Sequence, residues 1–310
     1  TTHGNPQPLT IGGSENGTKV NMTNVNISAA AGYGIITFVK TELTATNSTI
    51  GGYSALYVKP GSEGSKFNFE NSTLSGSTAG NDVEGNSFST IAVRADDVTV
   101  KVDASSTVSA TGNYCWAISL ESKYTDENGI TGANITVAGA INGKVLTSAD
   151  VSKNTISVKA EDADKLRAAG YGAVIANGMA TAVAPVAKIG TTGYATLAEA
   201  VAAAKDNDTV TLLTDVTINE LIKIEKAITL DLNGKKVTAT SKKAFEVYAN
   251  ATIMNGTIEA AQRCVDTRKA VELTLTDVNL IADKYTTHGN PQPLTIGGSE
   301  NGTKVNMTNV

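Results

Sequence analysis

A short pattern of apolar alternation recurs along this 310-residue chain and constrains its fold more than any other feature. Each copy alternates apolar and polar residues, places Asn or Asp at one position, and alternates again, as in ATIMNGTIEA at 251–260. The marker positions are Asn233, Asn255, Asp277, Asn309, Asn24, Asn47, Asn71 and Asp103, with a weaker copy at Asn142. Because side chains of a strand alternate between two faces, each copy predicts a pair of short strands joined by a bend.

Neighbouring markers lie 22 to 24 residues apart wherever no longer loop intervenes. That spacing matches one coil of a β-solenoid, whose coils bury their apolar faces only by stacking on one another. Asn and Asp tolerate left-handed backbone angles and bond locally to the backbone, so stacked bends predict a ladder of these residues. The sequence therefore predicts an all-β parallel β-helix. Marker sequences such as Asn47-Ser-Thr fit a bend followed by a strand better than they fit a glycosylation acceptor.

The first 25 residues of the chain are identical to its last 25, residues 286–310, at an offset of 285 residues. Distant duplication would have left substitutions. The identity predicts a tandem array of near-identical units, of which this chain is a window slightly longer than one period. A polypeptide that merely overlaps its own start is the alternative. On either interpretation the chain begins and ends within a solenoid coil.

A capping segment marks where a repeat unit starts. Thr196-Leu-Ala-Glu199 is a capping box that predicts a short α-helix near 196–205, laid over the first coil to hide its unpaired edges. Residues 171–186 predict a β-hairpin junction, with Asn177-Gly178 at its turn. The expected organisation is later coils of one unit in 1–158, a cap, hairpin and junction in 159–186, and the capping helix with the early coils of the next unit in 187–310.

The segment at the start of region 187–310 resembles a known family. Its motifs are AKIG at 187–190, YATL at 194–197, EAV at 199–201, DTVTLL at 208–213 and Asp215-Val216. They are similar to the start of right-handed parallel β-helix domains, pectate-lyase-like repeats of large secreted bacterial surface proteins of the adhesin type. The resemblance implies a right-handed coil and an extracellular setting, on the cell surface or a surface appendage. Independently of the resemblance, the terminal identity and the capping helix predict identical units that join head to tail.

Composition excludes several partners. The net charge of −5 leaves no basic stripe to neutralise phosphates, so no nucleic-acid partner is expected. No apolar run approaches the ~20 residues of a membrane helix, so no membrane span is expected.

His3 and His288 are one position seen twice, and one His per repeat cannot build a His-based metal cluster. Cys115 and Cys264 belong to no CxxC motif and are predicted to be buried free thiols. No cofactor is expected.

The polysaccharide lyases and hydrolases that share this fold carry motifs that are missing here. The chain has no Gly-His-Gly and no Arg-Ile-Lys, and its one Asp-Asp pair, Asp96-Asp97, has no catalytic His beside it. The acidic pairs Asp162/Asp164 and Asp206/Asp208 fit helix ends better than a metal site. We therefore expect a non-catalytic chain, with a polysaccharide lyase or hydrolase as the least favoured alternative.

Loops inserted between coils offer the remaining candidate contacts. Tyr285, His288 and Tyr124 lie in such loops, where their rings could stack on sugars or on a protein partner. Three functions stay open at this point, of which the polysaccharide lyase or hydrolase is the least favoured. The favoured one is a structural and adhesive repeat of an extracellular bacterial fibre or stalk, and the alternative is a carbohydrate-binding module that uses these loops on host or environmental glycans.

Overall fold

The computed structural model describes residues 7–13, 17–78, 82–83, 88–121, 129–282, 291–297 and 302–310. Strands make up 55% and helices 6% of a parallel β-solenoid of about 11 turns, which confirms the predicted all-β class and parallel coils. The right hand of the coil stays a prediction. The chain divides into two compact units. Unit 1 is Thr1–Ala169 with Ala173–Val183, and unit 2 is Gly170–Gly172 with Ala184–Val310.

The coils of unit 1 are built from three short strands each, as far as the described residues show them. The strands in chain order are β1 (Leu9–Ile11), β2 (Thr18–Thr23), β3 (Asn26–Ser28), β4 (Tyr33–Thr37), β5 (Thr41–Thr46), β6 (Thr49–Gly52), β7 (Ser54–Val58), β8 (Lys66–Glu70), β9 (Thr73–Ser77), β10 (Phe88–Val93), β11 (Thr99–Val102), β12 (Thr107–Thr111), β13 (Cys115–Leu120), β14 (Asn134–Val137), β15 (Ala140–Asn142), β16 (Lys144–Thr147) and β17 (Thr155–Lys159).

Equivalent strands of successive coils stack into three parallel sheets. Their orders are β1-β4-β7-β10-β13-β16, β2-β5-β8-β11-β14-β17 and β3-β6-β9-β12-β15. Register partners such as Phe67, Val100 and Ile135 point into the core and are 0% exposed. Period-two alternation explains this, because every second side chain of each strand faces the interior.

Unit 1 ends in a cap that breaks the parallel pattern. A 3-10 turn (Ala160–Asp162) leads into helix α1 (Ala163–Ala168), and strands β18 (Gly172–Ala176) and β19 (Met179–Val183) follow. Asn177 and Gly178 have φ values of 51° and 76°, as a two-residue hairpin turn requires. Strand β19 pairs antiparallel with β17, so the predicted hairpin is present and covers the edge of the last coil.

Unit 2 begins with a hairpin and a helix and continues as stacked coils. Its elements are β20 (Ala187–Ile189), β21 (Thr192–Tyr194), α2 (Leu197–Ala203), β22 (Thr209–Leu212), β23 (Val216–Ile218), β24 (Ile222–Ile224), β25 (Ile228–Asp231), β26 (Lys236–Ala239), β27 (Lys243–Val247), β28 (Ala251–Ala260), β29 (Arg263–Thr267), β30 (Glu272–Ala282), β31 (Leu294–Ile296) and β32 (Lys304–Thr308). One sheet carries β24-β27-β29-β31, and the larger sheet carries the other strands of this unit.

Helix α2 is the capping helix predicted near 196–205. The Thr196 side chain accepts a hydrogen bond from the Glu199 backbone N–H at 3.1 Å, as an N-cap residue does. Leu197, Ala200 and Val201 are buried in the core of unit 2, which the amphipathic spacing predicts. The antiparallel hairpin β20–β21, which pairs with β22, was missed, because three-residue strands are too short to give a periodic signal.

Both cysteines lie in the interior as free thiols, as their sequence context predicts. Burial raises the pKa of Cys115 and of Cys264 to about 11. A thiol with so high a pKa is protonated at neutral pH and is a poor nucleophile. These two residues therefore serve packing.

We expect Phe67→Ala and Phe245→Ala each to lower the free energy of unfolding by about 3–5 kcal/mol, because each removes a fully buried ring. Urea unfolding measures the loss of stability, and hydrogen exchange of the native protein locates it. Protection of backbone amides should fall in unit 1 for Phe67→Ala and in unit 2 for Phe245→Ala. Phe38→Ala is the control, since that ring is 40% exposed and its loss leaves no closed cavity. Equal effects of all three variants would contradict this account of the core.

Candidate functional site

Most of the predicted bend residues adopt left-handed backbone angles. Positive φ values are found at Asn24 (58°), Asn47 (51°), Asn71 (45°), Asn233 (50°), Asn255 (60°), Asp277 (53°) and Asn309 (54°). In β28 and β30 the strand runs on through the bend at Asn255 and Asp277. Short polar side chains accept this geometry at lower cost than other residues, which explains the choice of Asn and Asp.

Side chains of these bends bond between neighbouring coils. Asn71 Nδ2 donates to Asn47 Oδ1 at 2.7 Å, and Asn309 Nδ2 donates to Asp277 Oδ1 at 2.8 Å. Asn255 instead donates to Asp231 at 3.0 Å. Asn233 Nδ2 lies 3.2 Å from the Leu212 carbonyl oxygen. The ladder is thus a set of pairwise bonds.

Two marker positions differ from the pattern. Asp103 is outside the left-handed set, and its carboxylate accepts hydrogen bonds from the Ser105 and Asn71 backbone N–H groups and from the Ser106 hydroxyl. The Asp103 side chain stabilises a longer bend, so the backbone at Asp103 does not need a positive φ. The prediction of a bend at Asn142 is wrong, because Asn142 is the last residue of strand β15. The true bend of that coil contains Gly139, where a Cβ would approach the Ser106 carbonyl oxygen to 2.1 Å.

A second ladder, made of buried serines, was not recognised from the sequence. Ser48, Ser72 and Ser106 are each 2% exposed and follow the bends of successive coils. The Val25 N–H donates to Ser48 Oγ at 3.1 Å, the Ser48 N–H to Ser72 Oγ at 3.0 Å, and the Ser72 N–H to Ser106 Oγ at 2.9 Å. Each serine Oγ thus accepts a hydrogen bond from a backbone N–H of the preceding coil. The repeated Asn-Ser-Thr at 47–49 and 71–73 was the available signal.

A cluster of charged side chains lies on one sheet of unit 2, on the face opposite to the core. This outer charge cluster consists of Lys243, Glu246, Tyr248, Arg263, Asp266 and Arg268. Glu246 and Asp266 are register partners on neighbouring coils and are 7% and 0% exposed. Lys243 Nζ bridges them, at 2.9 Å from Glu246 and 2.7 Å from Asp266.

Two arginines and a tyrosine complete the pairing of these carboxylates. Arg263 donates to Asp266 at 3.0 Å, and the Tyr248 hydroxyl donates to Glu246 at 2.9 Å. Arg268 lies 3.7 Å from both carboxylates. Buried carboxylates need ionic partners and hydrogen bonds. Glu246 has both on its two oxygens, whereas in Asp266 only Oδ2 is bonded and Oδ1 is buried without a hydrogen-bond partner among the described residues.

The surroundings of Glu246 and Lys243 shift the pKa of each towards its charged form. Burial acts to raise the pKa of Glu246, but hydrogen bonds from Lys243 and Tyr248 and the charges of Lys243 and Arg268 outweigh it, and the pKa is lowered. Burial acts to lower the pKa of Lys243, but bonds to Asp266 and Glu246 raise it overall. A glycosidase general acid needs a raised carboxyl pKa. Glu246 has the opposite shift, so its chemistry suits an ion pair.

A groove in unit 1 is lined by the only tryptophan of the sequence. The groove has a volume of about 600 Å³ and contains Trp116, Lys144 and Lys165. Lys144 Nζ stands 5.0 Å from the centroid of the indole ring. Lys165 Nζ donates to the Ile141 carbonyl oxygen at 2.6 Å and pairs with Asp162 at 2.7 Å. An aromatic ring beside lysines can stack on a sugar ring and attract an acidic substituent.

The three loop residues proposed for partner contacts, Tyr285, His288 and Tyr124, lie outside the described residues. The candidate acidic pairs take part in local contacts. Asp162 is the N-cap residue of α1 without a side-chain capping bond and pairs with Lys165, and Asp164 pairs with Arg167. Asp206 accepts a hydrogen bond from the Ala227 N–H, and Asp208 accepts one from the Lys205 N–H, each at 2.8 Å.

Within the described ranges, no three His, Cys, Asp or Glu side chains form a group that could hold a metal ion. Among those same residues, no helix is both long and apolar enough to cross a membrane.

Comparison with known proteins gives no match to this chain, neither among protein families, nor among curated proteins, nor among solved structures.

We expect Asn71→Ala to lower the free energy of unfolding by about 1–2 kcal/mol, because alanine is strained at φ 45° and the bond to Asn47 is lost. Asn71→Gly removes the same bond without the strain and should cost less. Denaturant unfolding of the two variants separates the two contributions. A glycine variant less stable than the alanine variant would contradict the role of backbone geometry.

The outer charge cluster predicts acid sensitivity. The folded pKa of Glu246 lies below its ordinary value of 4.5, so its stabilising contribution is complete above that pH and is lost as pH falls through the folded pKa. We expect Glu246→Gln to be less stable than the parent at neutral pH. The difference between them should shrink as the pH falls below 4.5.

Urea unfolding at a series of pH values measures this effect, and the exposed Glu220→Gln is the control. A stability difference between parent and Glu246→Gln that is constant from pH 7 to below pH 4.5 would contradict the pairing.

Proposed function

We propose that this chain is a structural and adhesive repeat of an extracellular bacterial fibre or surface stalk, whose units assemble head to tail. The observation that carries the proposal is the duplicated segment. Its first copy forms β1 and β2 and its second forms β31 and β32, so the same sequence enters the coil in the same way in both units. A sequence that repeats in register with the coil is what a tandem solenoid array requires.

The interior of each unit supports a mechanical role. Parallel stacking pairs the strand backbones of successive coils, and the serine ladder satisfies buried N–H groups at the bends of unit 1. Solenoid stability accumulates from contacts between neighbouring coils, so such a unit can act as a stiff spacer. The polar bends add bonds between coils without needing a ligand.

The extracellular setting rests on the resemblance of residues 187–216 to β-helix domains of secreted surface proteins. In that setting the loops would be displayed at a fixed interval along the fibre, and partners would be adjacent identical units. No cofactor enters this proposal.

A carbohydrate-binding module is the second candidate, and the groove beside Trp116 favours it. Its volume of about 600 Å³ and the positive charge of Lys144 beside the indole ring suit a sugar with an acidic substituent, while Lys165 is already paired with Asp162. Glycan binding that disappears in Trp116→Ala would favour this alternative over a passive spacer.

A polysaccharide lyase or hydrolase has less support. The paired carboxylates Glu246 and Asp266 are held by Lys243, Arg263 and Arg268, and the pKa of Glu246 is lowered. A reducing-sugar or unsaturated-product assay on pectin-like substrates tests this function, and we expect no turnover.

The mass of the native protein tests the main proposal. We expect polypeptides or assemblies larger than the 31.9 kDa of this chain, with assembly increasing with protein concentration. Light scattering coupled to size-exclusion chromatography measures the mass, and electron microscopy shows whether the product is linear. A single species of 31.9 kDa at all concentrations would overturn the structural proposal.

A further inference from the structure

An aromatic ring with a lysine on either side lies beside the outer charge cluster of unit 2. Tyr248 directly follows β27, and the Nζ atoms of Lys223 and Lys269 each lie 5.9 Å from the centroid of its ring. The two ammonium groups are therefore no more than twice that distance apart. The Tyr248 hydroxyl donates to Glu246 at 2.9 Å, which restrains the ring. Both lysines are exposed to solvent.

The cations around this ring are not taken up by acidic side chains. Within the described ranges, neither Lys223 nor Lys269 forms an ion pair. The guanidinium group of Arg268 lies 3.7 Å from Glu246 and from Asp266, which is too far for a hydrogen bond, and its side chain is 45% exposed. We call Lys223, Tyr248, Arg268 and Lys269 the basic patch. Its three cations can still donate to an anion from solvent.

The charge of this surface is opposite to that of the chain. The basic patch and the outer charge cluster together contain five cations and two carboxylates, namely Lys223, Lys243, Arg263, Arg268 and Lys269 with Glu246 and Asp266. The surface thus has a net charge of +3, whereas the whole chain carries −5. The exposed neighbours Glu225 and Lys226 cancel each other. An acidic ligand is attracted here although the chain as a whole repels it.

The cations are distributed over three successive coils. Lys223 lies in β24, Lys243 lies in β27, and Arg268 directly follows β29. These strands are neighbours in one parallel sheet. Neighbouring strands lie ~4.8 Å apart, so positive charge recurs at about that interval along the stacking direction. A linear polyanion that follows this direction meets a cation on each coil, which a single small anion cannot do.

We propose that the outer face of β24, β27 and β29 binds an acidic polysaccharide. Its carboxylate or sulfate groups contact Lys223, Arg268 and Lys269, and a sugar ring packs beside Tyr248. The inference rests on the adhesive part of the proposed function and names its class of ligand, and it does not require head-to-tail assembly. The site belongs to unit 2, whereas the groove beside Trp116 belongs to unit 1.

A double variant tests the basic patch. Lys223→Gln with Lys269→Gln removes two exposed cations that form no ion pair among the described residues, so the fold should be retained. We expect it to weaken binding of an acidic polysaccharide by roughly tenfold. Lys188→Gln with Lys205→Gln is the matched control, since it removes the same charge from exposed lysines elsewhere in unit 2 and should leave the affinity unchanged. Lys223→Arg with Lys269→Arg should keep the binding. Isothermal titration calorimetry at one low salt concentration measures all three.

Four probes identify the ligand chemistry. Heparin carries sulfate groups, polygalacturonate carries carboxylates, dextran is neutral, and a single-stranded oligonucleotide carries phosphates without a polysaccharide backbone. We expect heparin or polygalacturonate to bind, with an affinity that falls as salt is added, and dextran not to bind. Binding of neither acidic polysaccharide would overturn the proposal, and so would tighter binding of the oligonucleotide than of both.

The remaining outcomes locate the site and separate the two proposals. Binding that is lost in Trp116→Ala but kept in the Lys223/Lys269 glutamine variant would place the sugar in the groove of unit 1 and overturn the basic patch. Equal loss in the Lys188/Lys205 control would show a response to net charge alone and would also overturn it. A single species of 31.9 kDa that binds as expected would remove the fibre and keep this inference, whereas a protein that assembles and binds no acidic polysaccharide would do the reverse.

Discussion

The structure depends on the requirement that every coil be covered by another coil. A single coil exposes its apolar face and unpaired backbone groups, and both are satisfied only by stacking a further coil in register. The ends of each unit show the same requirement. The hairpin β18–β19 pairs with the last coil of unit 1, and α2 with the hairpin β20–β21 closes the first coil of unit 2.

The bends lie outside the regular strand pairing, so their backbone groups need other hydrogen-bond partners. Left-handed Asn residues turn the backbone, and Ser48, Ser72 and Ser106 satisfy N–H groups that the turn would otherwise leave buried and unpaired. The result is two parallel columns of polar side chains, one exposed and one buried, that follow the stacking direction in unit 1. Register is thereby specified by polar contacts as well as by the apolar core.

The outer charge cluster of unit 2 shows how the same fold places polar groups on neighbouring coils. Glu246 and Asp266 are brought together by strand register alone, and three cationic side chains hold them. Lys243, Tyr248 and Arg268 together lower the pKa of Glu246, although burial acts to raise it.

The sequence by itself determined the coil, its period, the bends at Asn47 and Asn255, the N-cap at Thr196 and the hairpin turn at Asn177, since each depends on local geometry or on short-range alternation. It placed one bend wrongly at Asn142, because a glycine that must approach Ser106 closely leaves no polar marker. Only the tertiary structure decided which side chains meet between coils: the buried serines and the Glu246–Asp266 pairing. These contacts join residues that lie one or more coils apart in sequence, and stacking register alone brings them together.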